Sequence, residues 1–201
     1  TGGTDRVFPI GYTCTLTNGP TTSNTLLPTI GAAAVSPAIP VGSVCTFTET
    51  LAAQPGDFAD VSYVWSGWSA EPSSLTVAEG ARAVVTNAYV RETGELAVAK
   101  TVEGAGYLGE GAPFLFDYDC DGMTGRIAVA AGSTGSAAVP ARIECTVQEQ
   151  TPDAGLLAAG YRWGEPVWST ATTATVPASG SVTLAVTNPI LGSPVPTPRS
   201  E

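Results

Sequence analysis

The chain repeats itself, and that repeat constrains its fold more than any other feature. Val7-Phe8-Pro9-Ile10-Gly11-Tyr12-Thr13-Cys14 lines up with Pro113-Phe114-Leu115-Phe116-Asp117-Tyr118-Asp119-Cys120, so that Phe8, Tyr12 and Cys14 match Phe114, Tyr118 and Cys120. Cys45-Thr46-Phe47-Thr48-Glu49 then matches Cys145-Thr146-Val147-Gln148-Glu149. Tyr63-Val64-Trp65 matches Tyr161-Arg162-Trp163, and Trp68-Ser69 matches Trp168-Ser169. Val84-Val85-Thr86-Asn87 closes the series against Ala185-Val186-Thr187-Asn188. The landmarks keep their order and nearly constant offsets, which chance does not explain. With 201 residues, the chain divides into two domains of about 100 residues each. The expected limits are residues 1–92 for repeat 1, 93–190 for repeat 2, and 191–201 for a Pro-rich linker or tail carrying Pro194, Pro196 and Pro198.

Within each copy, apolar and polar residues alternate with period two, as in Cys145 to Gln148, Ser181 to Thr187 and Glu95 to Val102. Gly, Pro, Ser and Asn fill the gaps, and long helical patterns are missing. Short strands separated by turn signals predict an all-β chain of two tandem Ig-like sandwiches. The four cysteines are even in number, lack a C-x-x-C pair and have no histidine beside them, which favours disulfides over zinc. Three pairings are open on paper. Because each copy carries one pair, Cys14–Cys45 and Cys120–Cys145 are the economical choice. Loops of this size closed by a disulfide add roughly 3–4 kcal/mol in the chain-entropy model.

The copies differ at their start. Repeat 2 opens with a strand, Glu95 to Val102, well ahead of Phe114, whereas only seven residues precede Phe8. The opening strand of repeat 1 is therefore expected to be cut away or donated from elsewhere, truncation being the simpler reading and donation by a neighbouring molecule the sharper one.

Composition excludes several functions. A formal net charge of -10 and a pI of about 4.3 argue against nucleic acid as a partner, since phosphate binding needs clustered Lys and Arg. The absence of His removes His-based triads, His metal sites and His pH switches. No stretch reaches the roughly 20 apolar residues of a membrane helix. No Asn-x-Ser/Thr sequon occurs, which favours a bacterial source over a eukaryotic secreted one.

Ala99-Lys100-Thr101-Val102, Tyr118-Asp119-Cys120, Cys145-Thr146-Val147-Gln148-Glu149 and Val186-Thr187-Asn188 together resemble a repeat family of actinobacterial surface proteins, the DUF5979 type. That family is similar to the Cna-B-like sandwiches of Gram-positive adhesins and pili. The resemblance implies a secreted, extracellular stalk or adhesin module on a bacterial cell wall, without enzymatic turnover or cofactor. Its implied partners are neighbouring domains of the same surface protein or pilus. A ligand-binding adhesin that grips a glycan or a partner protein is the alternative. Many Cna-B-like domains form an internal Lys–Asn isopeptide bond assisted by an acidic residue, and the resemblance points to Lys100, Asn188 and Glu149. Burial would leave Lys100, the sole lysine of the chain, a neutral nucleophile. A buried, neutral Glu149 would polarise the Asn188 amide and pass protons as ammonia leaves. A solvated Lys100, a water-facing Glu149 and an ordinary Asn188-Pro189 turn are the plain alternatives. Repeat 1 keeps Glu49 and Asn87 but has no lysine.

Other signals are weaker. Asp117, Asp119 and Asp121 open like a calcium loop, but its twelfth position is Ala128, where an EF-hand needs Glu. Gly104-Ala105-Gly106-Tyr107-Leu108-Gly109 fits a dinucleotide fingerprint without the helix it requires, and is expected to be a turn. Leu27-Pro28-Thr29-Ile30-Gly31 is similar to a sortase signal with Thr and Ile out of order, and is read as an inter-strand segment. The matched tryptophans, Trp65 with Trp163 and Trp68 with Trp168, suit core packing better than a glycan platform. No motif of the G-x-S-x-G kind marks a nucleophile.

Overall fold

A computed structural model of the protein describes residues 6–49, 60–169 and 171–192. Two compact units divide between Arg91 and Glu92. No helix among the described residues is long and apolar enough to cross a membrane.

The second unit contains β7 (Thr93–Glu103), β8 (Pro113–Cys120), β9 (Met123–Ala130), β10 (Thr134–Pro140), β11 (Glu144–Glu149), β12 (Tyr161–Trp163), β13 (Val167–Trp168), β14 (Thr173–Thr175) and β15 (Ser181–Gly192). One sheet runs β10-β7-β15-β12, with β13 also on β15; the other runs β14-β11-β8-β9. The period-two pattern explains why they close face to face. Leu96 and Val98 of β7 and Leu184 and Val186 of β15 point to the same core as Phe114 and Phe116 of β8, Ile127 and Val129 of β9, and Val147 of β11. The expected sandwich is present. The opening strand is longer than Glu95 to Val102 at both ends, and it lies parallel to the last strand of the unit, with Val186 opposite Lys100 and Asn188 opposite Val102. Strand β15 continues through Leu191 and Gly192, into the segment read as a tail. Pro194, Pro196 and Pro198 lie outside the described residues.

The first unit contains β1 (Ile10–Thr15), β2 (Thr21–Leu26), β3 (Val44–Glu49), β4 (Tyr63–Glu71), β5 (Ser74–Thr76) and β6 (Val84–Arg91). Its sheet β2-β1-β3-β5 repeats the order β9-β8-β11-β14, and its β4-β6 hairpin corresponds to β12 and β13 against β15. The turn before β3 is the same as the turn before β11. Gly42 N–H donates to Val77 O (2.9 Å) as Arg142 N–H does to Val176 O (2.7 Å), and both turn residues have positive φ, +85° and +61°. Only glycine meets that requirement without strain.

Both disulfides form as expected, Cys14–Cys45 and Cys120–Cys145. Each joins directly opposed residues of neighbouring antiparallel strands, β1 to β3 and β8 to β11. They staple strands within one sheet, not the two sheets to each other.

Among the described residues, unit 1 has no counterpart of β7 or of β10. The two absences are linked, because β10 pairs with β7. Counting back from Cys45 and Cys145, the β10 position falls on the stretch containing Ile39 and Pro40, which aligns with Val139 and Pro140. That stretch has no partner strand among the described residues and is irregular, with Val35 89% and Val41 75% exposed. Val139, its equivalent in unit 2, is fully buried.

Candidate functional site

The strand pattern of unit 2 puts three polar residues where apolar ones belong. Leu96, Val98, Lys100 and Val102 share one face of β7; Leu184, Val186 and Asn188 share one face of β15; Cys145, Val147 and Glu149 share one face of β11. Each of these faces is the inner one. Lys100 and Asn188 are both 1% exposed, and the Glu149 side chain is 3% exposed. The first and last strands of the unit lie side by side as the parallel β7–β15 pair. Lys100 and Asn188 then sit diagonally on adjacent strands, and Glu149 reaches them from the opposite sheet.

One carboxylate oxygen faces both nitrogens. Glu149 Oε1 lies 3.3 Å from Lys100 Nζ and accepts a hydrogen bond from Asn188 Nδ2 at 2.9 Å. The Phe114 ring closes the other side, its centroid 4.6 Å from Nζ. Beyond the Glu149 contact Nζ has no hydrogen-bond partner, and Glu149 Oε2 and Asn188 Oδ1 are buried without one. Such orphaned buried atoms each cost about 1–3 kcal/mol, so the arrangement is expensive as it stands.

Electrostatics follows from the burial. Loss of water around Lys100 pulls its pKa below the ordinary lysine value, against the opposing pull of the Glu149 charge. The same loss of water pushes Glu149 above the ordinary carboxylate value, with Lys100 and the Asn188 amide opposing it. Both shifts favour the neutral amine and the neutral acid. This is the protonation state a condensation between Lys100 and Asn188 requires.

Unit 1 holds half of the same arrangement. Asn87 Nδ2 donates to Glu49 Oε1 at 2.9 Å, and Glu49 Oε2 is buried without a hydrogen-bond partner. Here the amide oxygen is occupied, accepting from Trp65 Nε1 at 2.7 Å. The Arg6 guanidinium lies 5.3 Å from the centroid of Phe8, the ring equivalent to Phe114. Asn87 and Glu49 are only half-buried.

The remaining sequence candidates do not form sites. Asp117 accepts from Arg126 Nε at 2.8 Å and from Gln150 Nε2 at 2.7 Å; Asp119 accepts from the Gly122 N–H of the β8–β9 turn; Asp121 sits in that turn at φ +52°. Among the described residues, no group of three or more His, Cys, Asp and Glu could hold a metal ion. Gly104 and Gly106 both have positive φ in the loop between β7 and β8, and β8 follows where a dinucleotide site needs a helix. Leu27 to Gly31 lies between β2 and β3. Trp163 packs edge-on to Phe114 (5.7 Å) and Trp168 edge-on to Phe116 (6.1 Å), both as part of the core. Sequence reasoning named the three site residues but not Phe114 beneath the amine or Trp65 on Asn87. The period-two phase was the signal that could have marked Lys100, Asn188 and Glu149 as interior.

The family model for a domain of unknown function, DUF5979, matches residues 1–90 and again 96–190. No curated protein matches the chain. Among solved structures, a bacterial adhesin from Mobiluncus mulieris containing intramolecular disulfide, isopeptide and ester bond cross-links is similar at 12% identity and a TM-score of 0.40, over 94% of this chain and 86% of that one. GBS52, the minor pilin of Streptococcus agalactiae, is similar at 14% identity and 0.34, over 99% and 89%. The major pilin of Streptococcus pyogenes is similar at 11% and 0.37, over 93% and 94%.

Proposed function

This chain belongs to the DUF5979 family in both of its repeats, and from that premise we propose that it is a non-catalytic structural module of a bacterial cell-surface protein, whose second repeat seals itself with an isopeptide bond between Lys100 and Asn188. The observation that carries the reading is Glu149 Oε1, held 3.3 Å from Lys100 Nζ and 2.9 Å from Asn188 Nδ2 among side chains that are almost fully buried.

The chemistry needs only these residues. The neutral Nζ attacks Cγ of Asn188, forming the C–N bond. A proton moves from Nζ to Glu149 Oε1, and Glu149 delivers a proton to Nδ2. The Cγ–Nδ2 bond breaks and ammonia leaves. The net change is amine plus primary amide to secondary amide plus ammonia, with Glu149 regenerated. Burial supplies the low dielectric that keeps both partners neutral, and the two strands hold them together at high effective concentration. The reaction happens once per molecule, which makes it maturation and not turnover.

The rest of the chain suits a scaffold. A disulfide braces one sheet of each unit, and the tryptophans with ring partners in unit 2 face inward, which argues against a stacking platform for sugars. Secretion to the cell wall and attachment to neighbouring domains of a surface protein or pilus are part of the same reading.

Intact mass of the native, unreduced chain tests it. The expected mass is that of the sequence with two disulfides and one ammonia lost, and Lys100→Arg or Asn188→Ala restores the missing ammonia. A native mass with no ammonia lost overturns the proposal.

A further inference from the structure

The two halves of the Lys100–Asn188 site stand on different sheets. Lys100 and Asn188 lie on β7 and β15, a parallel pair. Glu149 lies on β11, and Phe114, the ring beneath the amine, lies on β8. We propose that the Cys120–Cys145 disulfide is a positioning element for the cross-link: it fixes the register of β11 on β8 that puts Glu149 against both nitrogens, so that unit 2 seals quickly only once it has been oxidised. This inference rests on the Lys100–Asn188 reading.

No turn sets that register. β8 and β9 form a hairpin whose two-residue turn, Asp121 and Gly122, both at positive φ, fixes their pairing with Cys120 opposite Met123. β8 and β11 are not a hairpin. β9 and β10 lie between them, and the two cysteines are 25 residues apart. β11 has six residues, and β14, its other neighbour, is paired with it from Glu144 to Thr146, at the end far from Glu149. The bridge supplies the constraint that a turn does not. Cys120 stands directly opposite Cys145, and counting along from that pair sets Glu149 opposite Phe116.

Glu149 is the residue most sensitive to that register. Cys145, Val147 and Glu149 share the inner face of β11. A slip of one residue turns Glu149 out to solvent, and a slip of two carries it about 7 Å along the strand, away from both nitrogens. The reacting register is also an unfavourable one before the bond forms. Glu149 Oε2 and Asn188 Oδ1 are buried in it without hydrogen-bond partners. Registers that return Glu149 to water therefore compete with it until something excludes them. The disulfide, with Cys120 1% and Cys145 0% exposed, excludes them from within the same core.

The order of events follows. The two thiols give two electrons and two protons to a disulfide oxidant, which leaves as two thiols. The bridge locks β11 on β8. Lys100 and Asn188 then condense, and ammonia leaves. A chain in a reducing compartment stays open longer, and an open chain can still be fully unfolded, whereas the finished cross-link ties residue 100 to residue 188. The gate is kinetic, and a reduced chain given long enough still seals.

The test follows ammonia loss by intact mass in the full chain, freshly made by cell-free synthesis with dithiothreitol or with oxidised glutathione. Loss should be about a hundredfold slower in dithiothreitol, the order expected when a reacting geometry is loosened. Cys14→Ser/Cys45→Ser, which removes the bridge of the other unit, should leave the oxidised rate unchanged. Cys120→Val/Cys145→Val keeps both positions apolar. It is measured in sucrose, which favours the folded state, with hydrogen exchange reporting the protection of β8 and β11, and it should be slow even when folded. A bridge that positions and one that merely stabilises differ at Glu149→Gln: this change should slow the oxidised chain strongly and the valine pair little further. Equal rates in the two buffers, a folded valine pair as fast as the oxidised chain, or an equal Glu149→Gln effect in both backgrounds overturns the proposal. An oxidised chain that loses no ammonia sinks the Lys100–Asn188 reading itself, which separates the two failures.

Discussion

The two repeats share their landmarks and differ in what those landmarks hold together. In unit 2 fourteen buried residues from both sheets form one core. In unit 1 the described core is Tyr12, Cys14 and Cys45, with Leu26, Ile39, Phe47 and Val77 partly packed on it. The sheet carrying the disulfide is the same in both, so the difference lies in the second sheet, where β7 and β10 have no counterparts among the described residues. Leu96 and Val98 of β7 and Val139 of β10 are all fully buried in unit 2. One strand thus decides whether the second sheet has a partner for β10, a cover for the amide, and an apolar face to complete the sandwich.

Several experiments would break or sharpen this comparison. The largest effect is expected from Asn188→Ala. Removing the proposed cross-link, which would close the chain from residue 100 to 188, costs about 4–5 kcal/mol by the loop-closure argument used for disulfides. Thermal unfolding of unit 2, followed by calorimetry, should drop accordingly, while Asn87→Ala should move unit 1 far less. Equal drops in both would show that the repeats do not differ in this way.

Next comes the Cys14→Ser/Cys45→Ser pair. Its loss of roughly 3–4 kcal/mol falls on a unit with a small core, so unit 1 should unfold, seen as loss of amide protection in hydrogen exchange across β1 and β3. Cys120→Ser/Cys145→Ser removes a similar amount from unit 2, which should stay folded with a lower midpoint. If unit 1 survives without its disulfide, its core is larger than the cluster of Tyr12, Cys14 and Cys45 indicates.

The pH profile of bond formation is the third. In unit 2 burial lowers Lys100 and raises Glu149, so the neutral pair and the ion pair hold the same number of protons, and the rate should be flat between two limits. Below the acid limit the pair gains a proton and the amine is no longer a nucleophile; above the alkaline limit it loses one and Glu149 can no longer donate. Refolding followed by mass spectrometry should give this bell. A rate that climbs without limit with pH would mean that Glu149 takes no part as an acid.

The smallest effect belongs to Asp117 and Arg126, an exposed pair with no counterpart in unit 1. The hydrogen bond from Arg126 holds the Asp117 carboxyl below its ordinary range, with Gln150 adding to it. Its contribution is therefore present above the ordinary aspartate range and fades as pH falls through the lowered value. Exposed pairs of this kind contribute little, so Arg126→Ala should shift the acid limb of unit 2 unfolding barely measurably, and unit 1 not at all.

Much of this was legible in the residues. The repeat foretold two domains, the cysteine pairing and the matched sheets, because Cys, Trp and Tyr landmarks survive at fixed spacing. Lys100, Asn188 and Glu149 came from the resemblance to Cna-B-like sandwiches, and their inward phase explains why they meet. Other features depend on pairing between distant segments and left no local mark. The residues around Ile39 carry a strand-like composition but have no strand neighbour among the described residues, so propensity alone misleads there. The continuous β4 with its bulge between Trp65 and Gly67, against β12 and β13 interrupted at Gly164 to Pro166, follows from one proline and one glycine whose effect is seen only against the partner strand. The reach of β15 through Gly192 is likewise set by its pairing with β12, where Tyr161 stands opposite Gly192.

The parallel pairing of β7 with β15 also sets how unit 2 responds to tension. These are its first and last strands, so a pull applied to the two ends of the unit drags them past each other along nine paired positions at once. Parallel neighbours loaded this way shear as a block and do not peel apart one hydrogen bond at a time. Joining Lys100 to Asn188 runs the load straight from one strand into the other, and the residues folded between them never feel it. Unit 2 joined in this way then acts as an inextensible link.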